Sequence, residues 1–311
     1  MGRRRVSVLF AGDANIDFQM TGLRSLPVTD REVLCDGFTT AIGGSTTIAA
    51  AAYAALGGRA AFCGTIGGDE NGRILERMLR SAGVDLSLLR VTGERATGVT
   101  VNLVHGATRT QVTFPGTLPL VDETDAIIRE LGRFSHVHIS GVYTLDRFLP
   151  RIREVLQRAV KRGITCSLDT QWDSSLQWRH LDEWLPLLSW LFVNEDEARA
   201  ITGQARMEDA HAALSALTAC PIVKRGAAGV FARGRGYPGF PAEVRDTTGA
   251  GDTFAAAFLF AMKEKGMGFD EAIRFGCAAG ALCCAFEGGV SPALTFDRVN
   301  AFMSPHGPPD A

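Results

Sequence analysis

Short apolar runs alternate with segments of helical spacing along most of the chain. The apolar runs predict buried strands at 6–10, 60–66, 136–140, 165–168, 190–193 and 221–223. Between them, apolar residues recur at three- and four-residue intervals, which predicts helices at 46–56, 71–82, 149–162, 195–202, 208–219 and 250–261. Because strands and helices alternate repeatedly, the pattern predicts an α/β fold in which a mostly parallel sheet is covered by helices on both faces.

Two segments, at about 17–40 and 97–116, break this alternation. Both are rich in Thr, Val and Phe, alternate these with polar residues, and lack a helical period. Apolar runs at 99–104 and 110–114 flank a short polar connection, which predicts a hairpin. We interpret the two segments as a small β-layer inserted into the α/β body, where it would serve as a lid. The alternative is that they are edge strands of the main sheet.

Composition and charge exclude several classes of function. The 311 residues carry 32 Lys and Arg against 34 Asp and Glu, a net charge of −2, so nothing favours a nucleic acid or a membrane surface as partner. The uncharged stretch 37–58 is rich in Ala, Thr and Gly, and we interpret it as a buried loop and helix rather than a membrane span. Seven cysteines without a CxxC pair indicate a reducing compartment, so we expect a cytoplasmic protein. We expect one domain over 1–305 and a loose tail at 306–311.

The segment with the most chemical information begins at Asp246 and reads DTTGAGDTF. Apolar residues then continue at helical spacing, so Gly249, Ala250 and Gly251 lie at a helix N-terminus, where free N–H groups and the helix dipole attract anions. Asp252 lies in the first turn of this helix, and we consider two roles for it. Its charge complements the helix dipole, or its carboxylate serves as a general base. A carboxylate beside an anion cradle is what phosphoryl transfer to an alcohol requires.

This segment resembles the C-terminal signature of the ribokinase-like (PfkB) carbohydrate kinase family. Three further family elements are matched in order: AIGGS at 41–45, GTIGGDENG at 64–72 and NEDE at 194–197. The resemblance covers about 6–300 and implies the ribokinase-like three-layer α/β/α fold with a small β-sheet lid. It also implies an ATP-dependent phosphotransferase acting on a hydroxyl of a neutral sugar or related polyol. A nucleoside (adenosine-like) kinase and a catalytically idle sugar-binding protein on the same fold are the alternatives.

The resemblance implies a role for each matching residue. Asp252 would be the general base, and the N–H groups of Gly249, Ala250 and Gly251 would hold the γ-phosphate as an anion hole. The other implied contacts are Asn15, Asp17, Gly43, Gly44 and Asp252 for the substrate; Asn194, Glu197, Lys224, Gly226, Gly249, Gly251 and Cys277 for ATP; Asn194 and Glu197 for Mg²⁺, through water; and Asp246, Thr248 and Ser291 for K⁺. The lid would close to exclude water, and lids of this kind often pair between subunits, which implies a homodimer.

Plainer interpretations stay open for several of these residues. Asn194 and Glu197 also fit an ordinary helix N-cap followed by a first-turn acid. Lys224 is equally compatible with a solvated surface lysine. Cys277 is compatible with a small buried apolar residue.

Two positions depart from the family pattern, and a third is ambiguous. Ile48 stands where the family usually has an Asn that bonds a sugar hydroxyl, which argues against ribose as substrate. Asp173 stands where relatives that bind acidic or phosphorylated sugars often have Arg, so we expect it to repel an anionic substrate such as fructose 6-phosphate or ketodeoxygluconate. Trp172 is suited either to stacking on a sugar or base or to core packing.

Overall fold

A computed structural model of the protein describes residues 8–105, 108–286, 288–290 and 293–304. The strands are β1 (Val8–Gly12), β2 (Asn15–Thr21), β3 (Gly37–Gly43), β4 (Ala60–Gly67), β5 (Asp85–Thr92), β6 (Gly98–His105), β7 (Thr108–Phe114), β8 (His136–Ser140), β9 (Thr165–Asp169), β10 (Trp190–Asn194), β11 (Pro221–Lys224), β12 (Val230–Ala232) and β13 (Arg235–Tyr237). The helices are α1 (Ser45–Ala55), α2 (Glu70–Ser81), α3 (Thr124–Glu130), α4 (Ile152–Lys161), α5 (Leu181–Trp184), α6 (Glu195–Thr202), α7 (Met207–Ser215), α8 (Ala250–Phe260), α9 (Phe269–Cys283) and α10 (Phe296–Met303).

The central sheet has the strand order β13-β12-β11-β10-β9-β8-β1-β4-β5. Its strands pair in parallel from β11 to β5, and only the β11–β12 and β12–β13 pairs are antiparallel. Alternate residues of each strand enter different cores, as Val8 and Phe10 face one side of the sheet while Leu9 and Ala11 face the other. Helices α1, α2, α8, α9 and α10 cover the first side, and α3 to α7 cover the second. The predicted three-layer α/β/α fold with a mostly parallel sheet is confirmed.

Most predicted element boundaries lie within two residues of the observed ones. The helix predicted at 149–162 begins with a 3₁₀ turn at Leu149–Arg151 before α4. The helix predicted at 208–219 is shorter, since α7 ends at Ser215 with Ala216 as its C-cap and Pro221 opens the next strand. No helix in the described ranges has the length and apolar character needed to cross a bilayer. The tail predicted at 306–311 lies outside the described residues.

The two irregular segments form a separate four-stranded sheet with the order β3-β2-β6-β7. Strands β2 and β6 pair in parallel, while β2–β3 and β6–β7 are antiparallel. The β6–β7 pair is the predicted hairpin. Because none of these strands joins the central sheet, the edge-strand alternative is wrong. We call this second sheet the lid sheet.

The lid sheet has one polar face and one apolar face. Its register places Gln19 of β2 between Thr39 of β3 and Asn102 of β6, with Gln111 of β7 beyond. The next row on the opposite face consists of Thr40, Phe18, Val101 and Val112. Strict alternation along the strands produces this separation. The polar face looks into the cleft, because Gln19 reaches Asp246 in the α/β body with its side chain.

Candidate active site

Helix α8 begins at a glycine that no other residue could replace without strain. Gly249 is the N-cap with φ of 70°, and a Cβ atom there would lie 2.7 Å from the Gly289 carbonyl oxygen and 2.9 Å from Ile48 Cγ2. Among the described residues, no side chain caps this helix end. The Ala250 N–H makes only a long bond, 3.3 Å, to the Thr247 carbonyl. The first-turn N–H groups are therefore available to an anion, with the positive end of the helix dipole behind them.

The Asp252 carboxyl is buried beside this helix start. It is only 9% exposed, and Gln171 Nε2 donates to its Oδ1 at 3.2 Å. Burial and the nearby charge of Asp169 together raise the pKa of Asp252 to about 8, although Lys224 opposes the shift. A carboxyl with a pKa near neutrality is suited to accept and release a proton.

An ion pair lies next to Asp252, at the carboxyl ends of strands β9 and β11. Lys224 Nζ is 2.5 Å from Asp169 Oδ2, and the lysine side chain is only 14% exposed. The charges of Asp169, Glu197 and Asp252 raise the pKa of Lys224 against the effect of its burial. The solvated-lysine interpretation is therefore wrong. Ligands of open parallel sheets bind at this edge, so the group lies where the fold predicts a site.

The start of α1 approaches Asp252 from the opposite side. Asp13, at the end of β1, accepts the N–H groups of Ser45 and Thr46 at 2.9 Å each, and burial raises its pKa. The side chain of Ser45 lies near enough to Asp252 to lower its pKa, and the charge of Asp13 raises it. Gly44, before the helix, has φ of 85°, a conformation that favours glycine. The glycine pair and the predicted catalytic carboxyl are thus parts of one cleft.

Strand β2 adds two predicted substrate residues to this cleft. Asn15 donates through Nδ2 to Thr100 Oγ1 at 2.8 Å, whereas its buried Oδ1 has no hydrogen-bond partner in the part of the chain that the structure describes. Asp17 accepts from Asn102 Nδ2 at 3.2 Å, and a side chain at Gly43 would overlap the Asp17 carboxylate. A buried acceptor without a donor is costly unless a ligand supplies one. Asn15 Oδ1 therefore marks a position for a ligand donor such as a hydroxyl.

Asn194 and Glu197 form a capping box at the start of α6. Asn194 Oδ1 accepts the Glu197 N–H at 2.8 Å, and Glu197 Oε2 accepts the Asn194 N–H at 2.9 Å, so the N-cap interpretation is confirmed. The two residues also lie near the site, because Asn194 pairs with Lys224 in the sheet register. Burial and the charge of Asp169 raise the pKa of Glu197, and Lys224 opposes that shift.

The sequence-based expectation for Asp173 is wrong. Its carboxylate is 4% exposed and accepts from the Ser175 N–H and hydroxyl and from the Trp178 N–H, at 2.7–2.8 Å. These bonds close the turn that contains Asp173, so its charge is compensated there instead of facing a substrate. The core alternative for Trp172 is also wrong, because its side chain is 51% exposed and contacts Trp178 edge-to-face.

The other predicted site residues are placed as follows. Gly226 has φ of 55° in the turn after β11, and a side chain there would meet open space. Cys277 belongs to the hydrophobic core, where burial raises the pKa of its thiol to about 12, so its small-apolar interpretation is favoured. Asp246 and Thr248 lie in the loop before α8 and bond to each other. Ser291 lies outside the described residues.

Sequence reasoning missed four polar residues of this cleft. Asp13 directly follows β1 and Asp169 is the last residue of β9, positions that could have identified them, because ligands bind at strand carboxyl ends. Gln171 has φ of 56°, which the sequence does not reveal, and this turn brings its amide to Asp252. Asn15, Asp17 and Gln19 are every second residue of β2 and therefore lie on the same face of the lid sheet. This two-residue spacing could have identified Gln19 from the sequence.

Comparison with known proteins agrees with this architecture. The model of the pfkB family carbohydrate kinases matches residues 6–295. The ATP-dependent ribose-1-phosphate kinase of Halopiger xanaduensis is 31% identical over 306 residues, 96% of this chain and 98% of the relative. The ribokinase of Haemophilus influenzae is 28% identical over 282 residues, 86% of this chain and 88% of the relative.

A solved structure supports the same assignment at the level of the fold. The ribokinase of Arabidopsis thaliana, solved with ribose and ATP, superposes with a TM-score of 0.78 over 96% of this chain and 98% of that chain, at 24% identity. The family model and the relatives point to an enzyme that transfers a phosphoryl group to a sugar or nucleoside, and the solved structure supports the fold. The chain therefore belongs to the pfkB family of carbohydrate kinases.

Proposed function

We propose that this chain transfers the γ-phosphoryl group of ATP to a hydroxyl of a neutral sugar or related polyol. The observation that carries the proposal is the buried Asp252 carboxyl, with its raised pKa, beside the uncapped helix start at 249–251. Asp252 accepts the proton of the attacking hydroxyl. The N–H groups of Gly249, Ala250 and Gly251 stabilise the charge on the transferring oxygens as an anion hole.

The nucleotide half of the site is assigned to the edge formed by β10 and β11. Lys224 is close to the helix start, since a Cβ atom at Gly251 would lie 3.2 Å from its ammonium nitrogen. A lysine there contributes a positive charge to the ATP phosphates, and the turn at Gly226 leaves open space for the nucleotide. The idle-protein alternative has no comparable explanation for a buried cation among three carboxyl groups.

The residues at the start of α6 fit a magnesium ion that retains its water. Glu197 uses Oε2 for the capping box, so Oε1 would hold water of the ion, and the amide of Asn194 lies beside it. When bound, Mg²⁺ neutralises phosphate charge and orients the transferred group. The carboxylate and amide oxygens are hard donors of the kind this ion prefers.

The acceptor half of the site favours a neutral substrate. Four carboxyl groups, those of Asp13, Asp17, Asp169 and Asp252, lie close together at this site, and such an acidic lining disfavours an anionic acceptor even though Asp173 is held in its own turn. Asn15 Oδ1 and Asp17 provide acceptors for hydroxyl groups. Ile48 is buried in the hydrophobic core and cannot donate a hydrogen bond to a sugar hydroxyl, so a nucleoside such as adenosine is kept as the second candidate.

A panel of acceptors tests this proposal through ADP release. Ribose, fructose, inositol, adenosine and ribose 1-phosphate are compared at equal concentration, and ATP alone gives the background. We expect ADP release well above background with a neutral polyol and none with ribose 1-phosphate, because the acceptor half is lined with carboxyl groups. Adenosine as the best acceptor would establish the second candidate. Ribose 1-phosphate as the best acceptor, or no acceptor at all, would contradict the proposal.

We further propose that 1–305 forms one kinase domain and that the protein is cytoplasmic. Its seven cysteines are free thiols, which supports a reducing compartment. The polar face of the lid sheet looks into the cleft. Closure of the lid sheet over the cleft would exclude water from the transfer step.

The apolar face of the lid sheet supports the proposed homodimer. Phe38, Val112 and Phe114 are 61%, 62% and 55% exposed on it, and Phe18 stacks on Phe38 at 5.7 Å. A continuous apolar sheet face of this kind is typical of a protein interface. A second copy of the same lid is the partner we assign, because a two-fold contact makes one surface complementary to itself.

Replacing Val112 by Arg is expected to convert the dimer into a monomer, because the charge would be buried between two lids. Sedimentation velocity measures the change. Leu217→Arg is the matched control, since Leu217 is 50% exposed just after α7 in the α/β body and is not part of the lid sheet, and it should leave the dimer intact. A wild-type protein that is monomeric at every concentration tested would contradict the proposed dimer.

A further inference from the structure

The carboxylate of Asp246 is fully engaged by hydrogen-bond donors of this chain. Oδ1 accepts from the Thr248 N–H at 2.8 Å and from the Thr248 hydroxyl at 2.6 Å. Oδ2 accepts from the Gly288 N–H at 3.0 Å and from Gln19 Nε2 at 2.9 Å. An ionised carboxylate has about four lone-pair positions, and four donors fill them here. These bonds hold the pKa of Asp246 below its usual value in spite of burial.

The donor set around Asp246 does not fit the K⁺ ion that the family resemblance implies. A cation binds oxygen lone pairs, whereas here hydrogens of the protein point at the carboxylate. The neighbouring carbonyl oxygens of Thr248 and Gly289 both contact Cys283, with Sγ at 3.8 Å and 3.3 Å. A soft thiol between these carbonyls is a poor neighbour for a hard cation. The implied K⁺ contacts at Asp246 and Thr248 are therefore at odds with this geometry.

Gln19 is the unusual member of the donor set. It comes from strand β2 of the lid sheet, 227 residues away in sequence, whereas Thr248 and Gly288 belong to the α/β body. Its side chain is 1% exposed, so the bond to Asp246 is shielded from water. Asp246 lies three residues before Gly249, the N-cap of α8. The Gln19–Asp246 bond therefore joins the lid directly to the loop that begins the anion hole.

We propose that the Gln19 amide takes the place of a monovalent cation beside Asp246, so that the lid strand, and not K⁺, holds the anion-hole loop in position. Gln19 acts through Asp246 and is a positioning residue. This inference rests on the proposed function in assigning the loop to phosphate binding. The hydrogen bonds to the Asp246 carboxylate do not depend on the proposed function.

The experiment compares the wild type with Gln19→Leu in potassium, sodium and choline chloride at about 0.1 M, so that ionic strength is constant. Two quantities are measured: the midpoint of thermal unfolding and the steady-state parameters with the best acceptor. For the wild type we expect equal midpoints in the three salts and kcat values that agree within about twofold. A midpoint or kcat that rises specifically with K⁺ would overturn the proposal.

Gln19→Leu should lower kcat by about tenfold in choline chloride, the effect of losing one hydrogen bond to a charged group, with the KM for ATP nearly unchanged. The substitution frees one of the two acceptor positions that are occupied on Asp246 Oδ2, and the Gly288 N–H keeps the other. K⁺ should therefore restore part of that loss in the variant and not in the wild type. The surface variant Gln157→Leu on α4 controls for the loss of an amide. If Gln19→Leu kept full kcat in choline, Gln19 would have no positioning role. The unfolding midpoints test the cation question even if no acceptor is turned over, so the two proposals can fail separately.

Discussion

Asp252→Asn is expected to lower kcat by about three orders of magnitude while leaving the affinity for ATP nearly unchanged, because a positioned general base contributes of this order. The amide has nearly the same shape and keeps the bond from Gln171, but it cannot accept the hydroxyl proton. Steady-state rates measure the first effect. ATP titration followed by calorimetry measures the second.

The pH profile gives this prediction a second readout. Asp252 acts only when ionised, and its pKa is raised to about 8, so kcat/KM of the wild type should rise with pH up to about 8 and level off above it. The Asn variant should lack this acidic limb. Asp270→Asn controls for the dipole interpretation, because Asp270 also lies in the first turn of a helix but is largely exposed. Equal losses in the two variants, or a near-normal rate for Asp252→Asn, would remove the base assignment.

The fold could be predicted from the sequence because its strands and helices follow different periods. Buried parallel strands are continuous apolar runs, and the helices between them have apolar residues at three- and four-residue intervals. The type and order of the elements could therefore be predicted. The lid sheet was recognisable from its alternation, but its strand order was not. The parallel pairing of β2 with β6 joins residues about eighty positions apart, and no local pattern specifies such a contact.

The site was predictable where a motif fixes local backbone geometry. The glycine loop before Asp252 and the capping box at Asn194 are local, and both are found where expected. Side-chain direction was not predictable, as Asp173 shows: its sequence position suggested the cleft, but three nearby donors hold it in its own turn. The contact of Gln19 with Asp246 depends on the docking of the lid sheet on the α/β body, which only the three-dimensional structure supplies.

Gly249→Ala is expected to lower kcat by at least about a hundredfold, the effect of displacing an anion-hole donor. The variant must adopt φ of 70°, which costs about 1 kcal/mol for a residue with a Cβ atom. That atom would also lie 2.7 Å from the Gly289 carbonyl oxygen and 2.9 Å from Ile48. Something must shift to relieve these contacts, and we expect the loop to move, which would turn the first N–H groups of α8 away from the phosphate.

Gly234→Ala separates the strain of the backbone from the displacement of the loop. Gly234 has φ of 74°, but a Cβ atom there meets nothing within 4 Å, so this variant carries the strain without the contacts. We expect it to lose a little thermal stability and no activity. Unfolding midpoints measured for both variants show whether Gly249→Ala is still folded when its rate is lost. A folded Gly249→Ala protein with a rate close to that of Gly234→Ala would mean that the start of α8 does not bind the transferred phosphate.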